Sequence, residues 1–209
     1  MFGITSCSKS LFLSSKDKIY IKDIMDKKSF QKIGEFYAKD KNHVYCNICL
    51  DETTASHSDM SAGQKRKFAI HMMQYKLIKG ADPQTFEVME VAMFSHDENY
   101  VYYAGILIEG ADVKSFKPIK PTNPLYSSNM LYSKDDKHAF FRYYKIDGID
   151  LSSFTVASNG NYAYDNKYLY SHLYKEEIDI ATFIPGEYSC RDKNYIYNFG
   201  GYDGFISKK

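Results

Sequence analysis

The sequence predicts a mainly β protein: a tandem array of about six β-hairpin repeats, each ending in a short capped helical turn, with one amphipathic helix inserted. Three observations carry this expectation. The chain holds 20 Tyr and 14 Phe but no Trp in 209 residues, an aromatic load that suits pleated sheets. One phrase recurs along the chain, and a second phrase follows it at a near-constant distance, which is the signature of a repeat architecture.

The first phrase is aromatic-x-x-Asp-x-x-x-(Val/Ile/Leu)-Tyr. It reads Tyr37, Asp40, Val44, Tyr45; then Phe94, Asp97, Val101, Tyr102; then Tyr132, Asp135, Ala139, Phe140; then Tyr162, Asp165, Leu169, Tyr170. A further copy has Ser189 for the aromatic and keeps Asp192, Ile196 and Tyr197, and the earliest has Phe12, Ile19 and Tyr20 with Ser15 for the Asp. Each Asp opens a run such as Asp40-Lys41-Asn42 or Asp97-Glu98-Asn99 before a tyrosine-rich strand. Asp folds its carboxylate onto amides two residues on, and Asn tolerates the left-handed backbone of a tight turn, so each copy is read as a hairpin tip. By strand parity the branched residues (Val44, Val101, Leu169, Ile196) form the core face. The opposite face would carry Tyr45, Tyr102, Tyr170 and Tyr197 with His43, Tyr100, His138, Tyr168 and Tyr195, either as an exposed ladder or as a second packed layer.

The second phrase, Asp-x-x-(Ser/Thr)-Phe, occurs at Asp26–Phe30, Asp82–Phe86, Asp112–Phe116, Asp150–Phe154 and Asp179–Phe183. Its Asp reads as an N-cap, its Ser or Thr closes the turn, and its Phe enters the core. The step from the ring that closes the first phrase to this Phe is 14 positions from Tyr102 and from Phe140, 13 from Tyr170 and 41 from Tyr45. The excess is one insertion at about 48–77. Its first half is polar; its second half opens at Ser61 with Gln64 three residues on, a capping-box pattern, and places Phe68, Met72 and Tyr75 at helical spacing. The domain organisation expected is an N-terminal segment over 1–11 and a single repeat domain over 12–205.

These phrases resemble the DKNYY repeat family of bacterial proteins. The nearest copy is Asp192-Lys193-Asn194-Tyr195-Ile196-Tyr197, followed by Asp40-Lys41-Asn42-His43-Val44-Tyr45, and Gly80-Ala81-Asp82 and Gly110-Ala111-Asp112 are similar to that family's linker. The likeness runs from Phe12 to Phe205 apart from the insertion. The chain departs from the pattern at Asp135-Asp136-Lys137-His138 and in the Pro118, Pro121, Pro124 connector. The resemblance implies a repeat scaffold and carries no activity onto any residue.

Composition narrows the function classes. Lys plus Arg is 27 and Asp plus Glu 26, a formal charge of +1, which argues against binding nucleic acid or an anionic membrane by bulk electrostatics. A hydrophobic fraction of 44% argues for a folded chain, and no run is long and apolar enough to predict a transmembrane helix. Ile4-Thr5-Ser6-Cys7 resembles a bacterial lipobox whose Cys7 would be lipidated, although no charged and apolar signal precedes it in this sequence. The expected location is the bacterial cell envelope if translation starts upstream and the cytoplasm otherwise; a lipid on Cys7 would be the membrane contact. Cys46-Asn47-Ile48-Cys49 reads as a weak zinc pair, an oxidisable pair, or two buried hydrophobes.

No GxSxG, HExxH, Walker or GxGxxG pattern is present, the six His are scattered, and the tips lack EF-hand or calcium-roll ligand spacing. The expectation is a non-enzymatic protein with no cofactor and no metal. Two readings follow. The first is a protein-binding repeat protein, in its most concrete form a bacterial immunity protein that neutralises a secreted toxin. Its contacts would come from Arg66, Lys67, Phe68, Met72 and Tyr75 of the insertion and from Tyr100, Tyr168 and Tyr195 of the strand face. The alternative is a structural or carbohydrate-binding envelope lipoprotein whose tyrosines stack on sugar rings.

Overall fold

The computed structural model describes residues 24–47, 75–126, 131–199 and 206–209. The described chain is mainly β, with antiparallel strands in five sheets. Sheet 1 joins β1 (Gln31–Lys32), β2 (Tyr37–Lys39), β3 (Val44–Cys46) and β4 (Lys76–Leu77); sheet 2 joins β5 (Glu87–Val88), β6 (Phe94–His96), β7 (Val101–Tyr103) and β8 (Ile106–Leu107). Sheet 3 joins β9 (Lys117–Pro118), β10 (Tyr132–Lys134), β11 (Ala139–Phe141) and β12 (Tyr144–Ile146); sheet 4 joins β13 (Thr155–Val156), β14 (Ala163–Tyr164), β15 (Tyr168–Ser171) and β16 (Tyr174–Glu177). Sheet 5 has β17 (Ser189–Arg191), β18 (Ile196–Phe199) and β19 (Ile206–Lys208), with Ile184 bridging Arg191 where the other sheets begin.

The repeating unit is therefore a four-stranded meander rather than a hairpin. The hairpin read from the first phrase is its middle pair, and the flanking strands are too short, often two residues, to show any alternation. The second phrase precedes each first strand as a single turn, with Ser29, Ser115 and Ser153 amides donating to the carbonyls of Asp26, Asp112 and Asp150. It is helical only at Ile180–Thr182, a 3-10 turn capped by Asp179. The earliest copy at Phe12, the Cys7 segment, Cys49 and the helix expected over the insertion lie outside the described residues.

The register locates that insertion. Cys46 pairs with Lys76 as Tyr103 pairs with Ile106. Positions 47–75 therefore stand where sheet 2 has only Ala104 and Gly105. That two-residue turn is left-handed at both positions, with φ of 50° and 78°, and a Cβ on Gly105 would lie 2.9 Å from the Cβ of Cys46 in the preceding sheet. Only glycine meets both conditions cheaply.

The core lies between successive sheets. Tyr37, Val44 and Ile78 of sheet 1 pack against Phe86 and Tyr102 of sheet 2; Phe94, Val101 and Ile108 of sheet 2 meet Phe116 and Phe140 of sheet 3; Tyr162, Leu169 and Ile178 of sheet 4 meet Cys190, Tyr197 and Ile206 of sheet 5. From sheet 2 onward the Phe of the second phrase sits between two sheets, as Phe86 does at 5.6 Å from Tyr37 and 5.9 Å from Tyr102. Both faces of each central strand are thus buried, not the aliphatic face alone. The last sheet differs: Val44, Val101, Ala139 and Leu169 are fully buried, whereas Ile196 at the same position is 47% exposed. The loss of the leading aromatic at Ser189 belongs with this, because no following sheet covers that ring position among the described residues.

Candidate functional site

The five described hairpin tips share one bonding pattern. The Oδ1 of Asp40 accepts the amides of Asn42 and His43, and the equivalent oxygens of Asp97, Asp135, Asp165 and Asp192 do the same for residues two and three positions on. The Oδ2 reaches back to the second phrase, accepting the amides of Asp26, Asp82, Asp112, Asp150 and Asp179 in turn. The Ser or Thr of that phrase returns the link. Ser29, Thr85, Ser115, Ser153 and Thr182 accept the amide of the residue just after each tip Asp. Every meander is thus laced twice, from opening turn to central tip.

A tyrosine closes each lace. Tyr45 donates its hydroxyl to the Oδ2 of Asp40 at 2.6 Å, and Tyr102, Tyr170 and Tyr197 do so to Asp97, Asp165 and Asp192 at 2.9, 2.7 and 2.7 Å. In sheet 3 the ring is Phe140, and the Nδ1 of His138 stands 3.3 Å from the Oδ2 of Asp135 instead. Each ring needs room across the strand pair, and its partner is small in every case: Ala38, Ser95, Ser133, Ala163 and Cys190. Burial raises the acid pKa of Asp192, but the Asp179 amide, the Tyr197 hydroxyl and the Asn194 and Tyr195 amides outweigh it and hold the group at about 2. The same balance lowers Asp40, Asp135 and Asp165. Burial first, then the facing carboxylate, pushes the phenols of Tyr45, Tyr102, Tyr170 and Tyr197 up.

The tips therefore act structurally. The carboxylates of Asp40, Asp97, Asp165 and Asp192 each receive three amides and a phenol hydroxyl, and that of Asp135 receives three amides with His138 beside it, so their lone pairs are engaged from within the fold. Among the described residues no group of three or more His, Cys, Asp or Glu could hold a metal, and no helix is long and apolar enough to cross a membrane.

What the tips present to solvent is the residue three positions after each Asp. Tyr100 and Tyr195 are 49% and 45% exposed, while His43, His138 and Tyr168 are half-buried. The candidate ladder thus splits into two rows: the lacing tyrosines are buried and the tip residues are accessible. Tyr168 leans on Tyr170 at 6.3 Å and Tyr195 on Tyr197 at 6.1 Å. Lys175 lies 3.9 Å from the Tyr168 ring centre and Lys208 5.1 Å from that of Tyr195.

The tip residues and the root of the insertion lie at opposite ends of the third strand of a sheet, about 10 Å apart along it. The structure does not bring these two candidate groups together. Tyr75 packs edge-on to Phe30 at 5.8 Å, and Phe30 in turn contacts Tyr45, so it belongs to the aromatic packing rather than to an outward contact set. Arg66, Lys67, Phe68 and Met72 lie outside the described residues. Cys46 is buried in β3.

One cluster had no motif to announce it. The proline connector ends in a 3-10 turn, Pro124–Tyr126, pinned by the Asn123 amide to the Ser158 carbonyl at 3.0 Å. Tyr126 donates to the carboxylate of Glu187 and stands 3.1 Å, oxygen to oxygen, from the hydroxyl of Tyr188. Beside it lies a groove of about 330 Å³ lined by Thr122, Val156, Tyr162, Tyr164, Pro185 and Glu187 among others. The spacing of three prolines signalled a departure from the repeat, but nothing local showed where the connector docks.

The DKNYY family model matches residues 12–142 and again 94–202. No curated protein and no solved structure matches the chain. The tip geometry explains the family's run of letters: the Asp is laced as above, the Asn amide bonds to it, and the Lys pairs with the capping Asp, Lys41 with Asp26 at 2.9 Å and Lys193 with Asp179 at 2.7 Å. With the matches spanning most of its length, the chain belongs to the DKNYY family.

Proposed function

We propose that this chain is a non-enzymatic repeat protein that binds another protein, in its most concrete form a bacterial immunity protein that neutralises a secreted toxin by direct contact. The observation that carries the reading is the pair of exposed rings at Tyr100 and Tyr195, with half-buried Tyr168 at the same position, on tips that are each laced twice. A ring held this way loses little freedom on binding, which is the main cost of an aromatic contact. Saturation of every described tip carboxylate by internal donors favours recognition over acid–base chemistry at the same place. Placement in the envelope through a lipid on Cys7, or in the cytoplasm, is compatible with this role.

The test pairs the protein with the product of the neighbouring reading frame. Co-expression should rescue growth from that product, and light scattering after gel filtration should show a one-to-one complex. Replacing Tyr100, Tyr168 and Tyr195 together by Ser should remove both effects without shifting the melting temperature. Absence of any complex, with retention on cell-wall glycan instead, would sink the proposal in favour of the envelope module.

A further inference from the structure

Leu125 and Tyr188 are the two most exposed large apolar side chains in the described chain, at 86% and 75%. They are distant in sequence. The Tyr126–Glu187 hydrogen bond and the Tyr126–Tyr188 contact bring their segments together, joining the sheet 3 connector to the loop that opens sheet 5. The connector contributes no strand at this point, so regular sheet packing does not account for the pair. Stretches 121–126 and 185–188 hold one charge between them, Glu187. Among the described residues no Lys or Arg forms an ion pair with it, and its carboxylate accepts from the Tyr126 hydroxyl. Glu187 also lines the groove, whose walls include Val156, Ala157 and Pro185.

We infer that Leu125, Tyr126, Glu187 and Tyr188 form a docking surface for a basic segment of a partner protein. One Lys or Arg side chain lays its methylenes along the groove wall and its charged head on Glu187, and an apolar neighbour rests on Leu125 and Tyr188. The argument is charge and shape. A lone carboxylate beside two phenol groups and a shallow apolar groove complements a long side chain with a cationic end, and exposed Tyr and Leu around it supply the desolvating contact. This inference rests on the protein-binding reading above, but it concerns a face distinct from the tip row.

The test uses the full chain, labelled with 15N, titrated with two synthetic peptides, acetyl-Leu-Arg-Leu-amide and acetyl-Leu-Glu-Leu-amide. The arginine peptide should shift the amides of Leu125, Glu187 and Tyr188 to saturation, and the glutamate peptide should not. Glu187→Gln, which keeps an acceptor for Tyr126 and so the local fold, should weaken binding about tenfold, and salt near 0.5 M should weaken the unmodified protein similarly. Equal responses to the two peptides, shifts confined to other residues, or an unchanged Glu187→Gln titration would overturn the inference. A cognate partner that binds the Glu187→Gln, Leu125→Ala and Tyr188→Ala variants as tightly as the parent would overturn it while leaving the protein-binding reading intact. A triple tip variant that still binds the partner would remove the tip row from the binding site and leave the inference standing, whereas absence of any protein partner for the parent would overturn the protein-binding reading itself.

Discussion

A hydroxyl placed five residues after an Asp decides how a hairpin tip is closed. Tyr102→Phe removes the bond to the Asp97 carboxylate at 2.9 Å and should lower the unfolding free energy by about 1.5–3 kcal/mol, the range for hydrogen bonds to charged groups. Asp97→Ala should be worse, because it strands that hydroxyl and the amides of Asp82, Asn99 and Tyr100 together; urea melts of both variants check the order. The laces also make stability depend on acid. With Asp192 held at about 2 against an unfolded value near 3.9, its contribution is complete above about pH 4 and is lost as pH falls towards 2. Asp40, Asp135 and Asp165, also lowered, add to the same fall. Melts from pH 5 to 2 should show it, and Asp192→Asn should flatten the slope. This arrangement was half legible. Asp as a tip residue follows from turn chemistry, and the spacing of Asp to the Tyr five residues on recurs in the first phrase, but spacing alone does not say that the two bond.

At the level of elements, the second phrase has two parts of unequal weight. Asp112 caps its turn through the Lys114 amide at an exposed site, so Asp112→Ala should cost about 1 kcal/mol. Phe116 lies between Phe94 at 5.7 Å and Phe140 at 5.9 Å and is 7% exposed, so Phe116→Ala should cost about 3–5 kcal/mol. Thermal unfolding that ranks them the other way would reverse the roles of cap and core. The sequence located these turns and the central hairpins because their signals are chemical: Asp, Ser or Thr, and Phe at fixed offsets. It missed the flanking strands, since Glu87–Val88 or Lys117–Pro118 carry no period to read. It also set Tyr45 and Tyr100 on one face as equals, where distance from the tip separates a buried ring from an accessible one.

For the molecule as a whole, the insertion enters sheet 1 at the position that a two-residue turn fills in sheet 2, at the strand end opposite the laces. Replacing 47–75 by Ala-Gly, the turn of sheet 2, should leave the array folded, with a cooperative melt and an unchanged β-type circular dichroism spectrum. Some loss of melting temperature is expected from the lost Tyr75–Phe30 contact. Collapse of the melt would show that the insertion belongs to the core. If the insertion carries partner contacts, affinity should fall while the fold persists; unchanged affinity would place binding outside the insertion. The repeat itself, its order and the single insertion were readable from spacing alone. The stacking of sheets was not, because it depends on which face of one unit accepts the Phe of the next.

The lacing also bears on how the chain is made. Each lace joins residues only 13 to 23 positions apart, so a meander can shut soon after it leaves the ribosome, before later units exist. The side that meets the following sheet must wait: the Phe that covers Tyr37 or Phe94 arrives with the next unit. Synthesis from the N-terminus would therefore always hold one closed sheet with one open face, onto which the next unit is templated. Errors of order are discouraged, because a unit can dock only on the neighbour that precedes it. Sheet 5 has Ser189 where the other units carry the ring that the next Phe covers, so its outer face does not offer the same template.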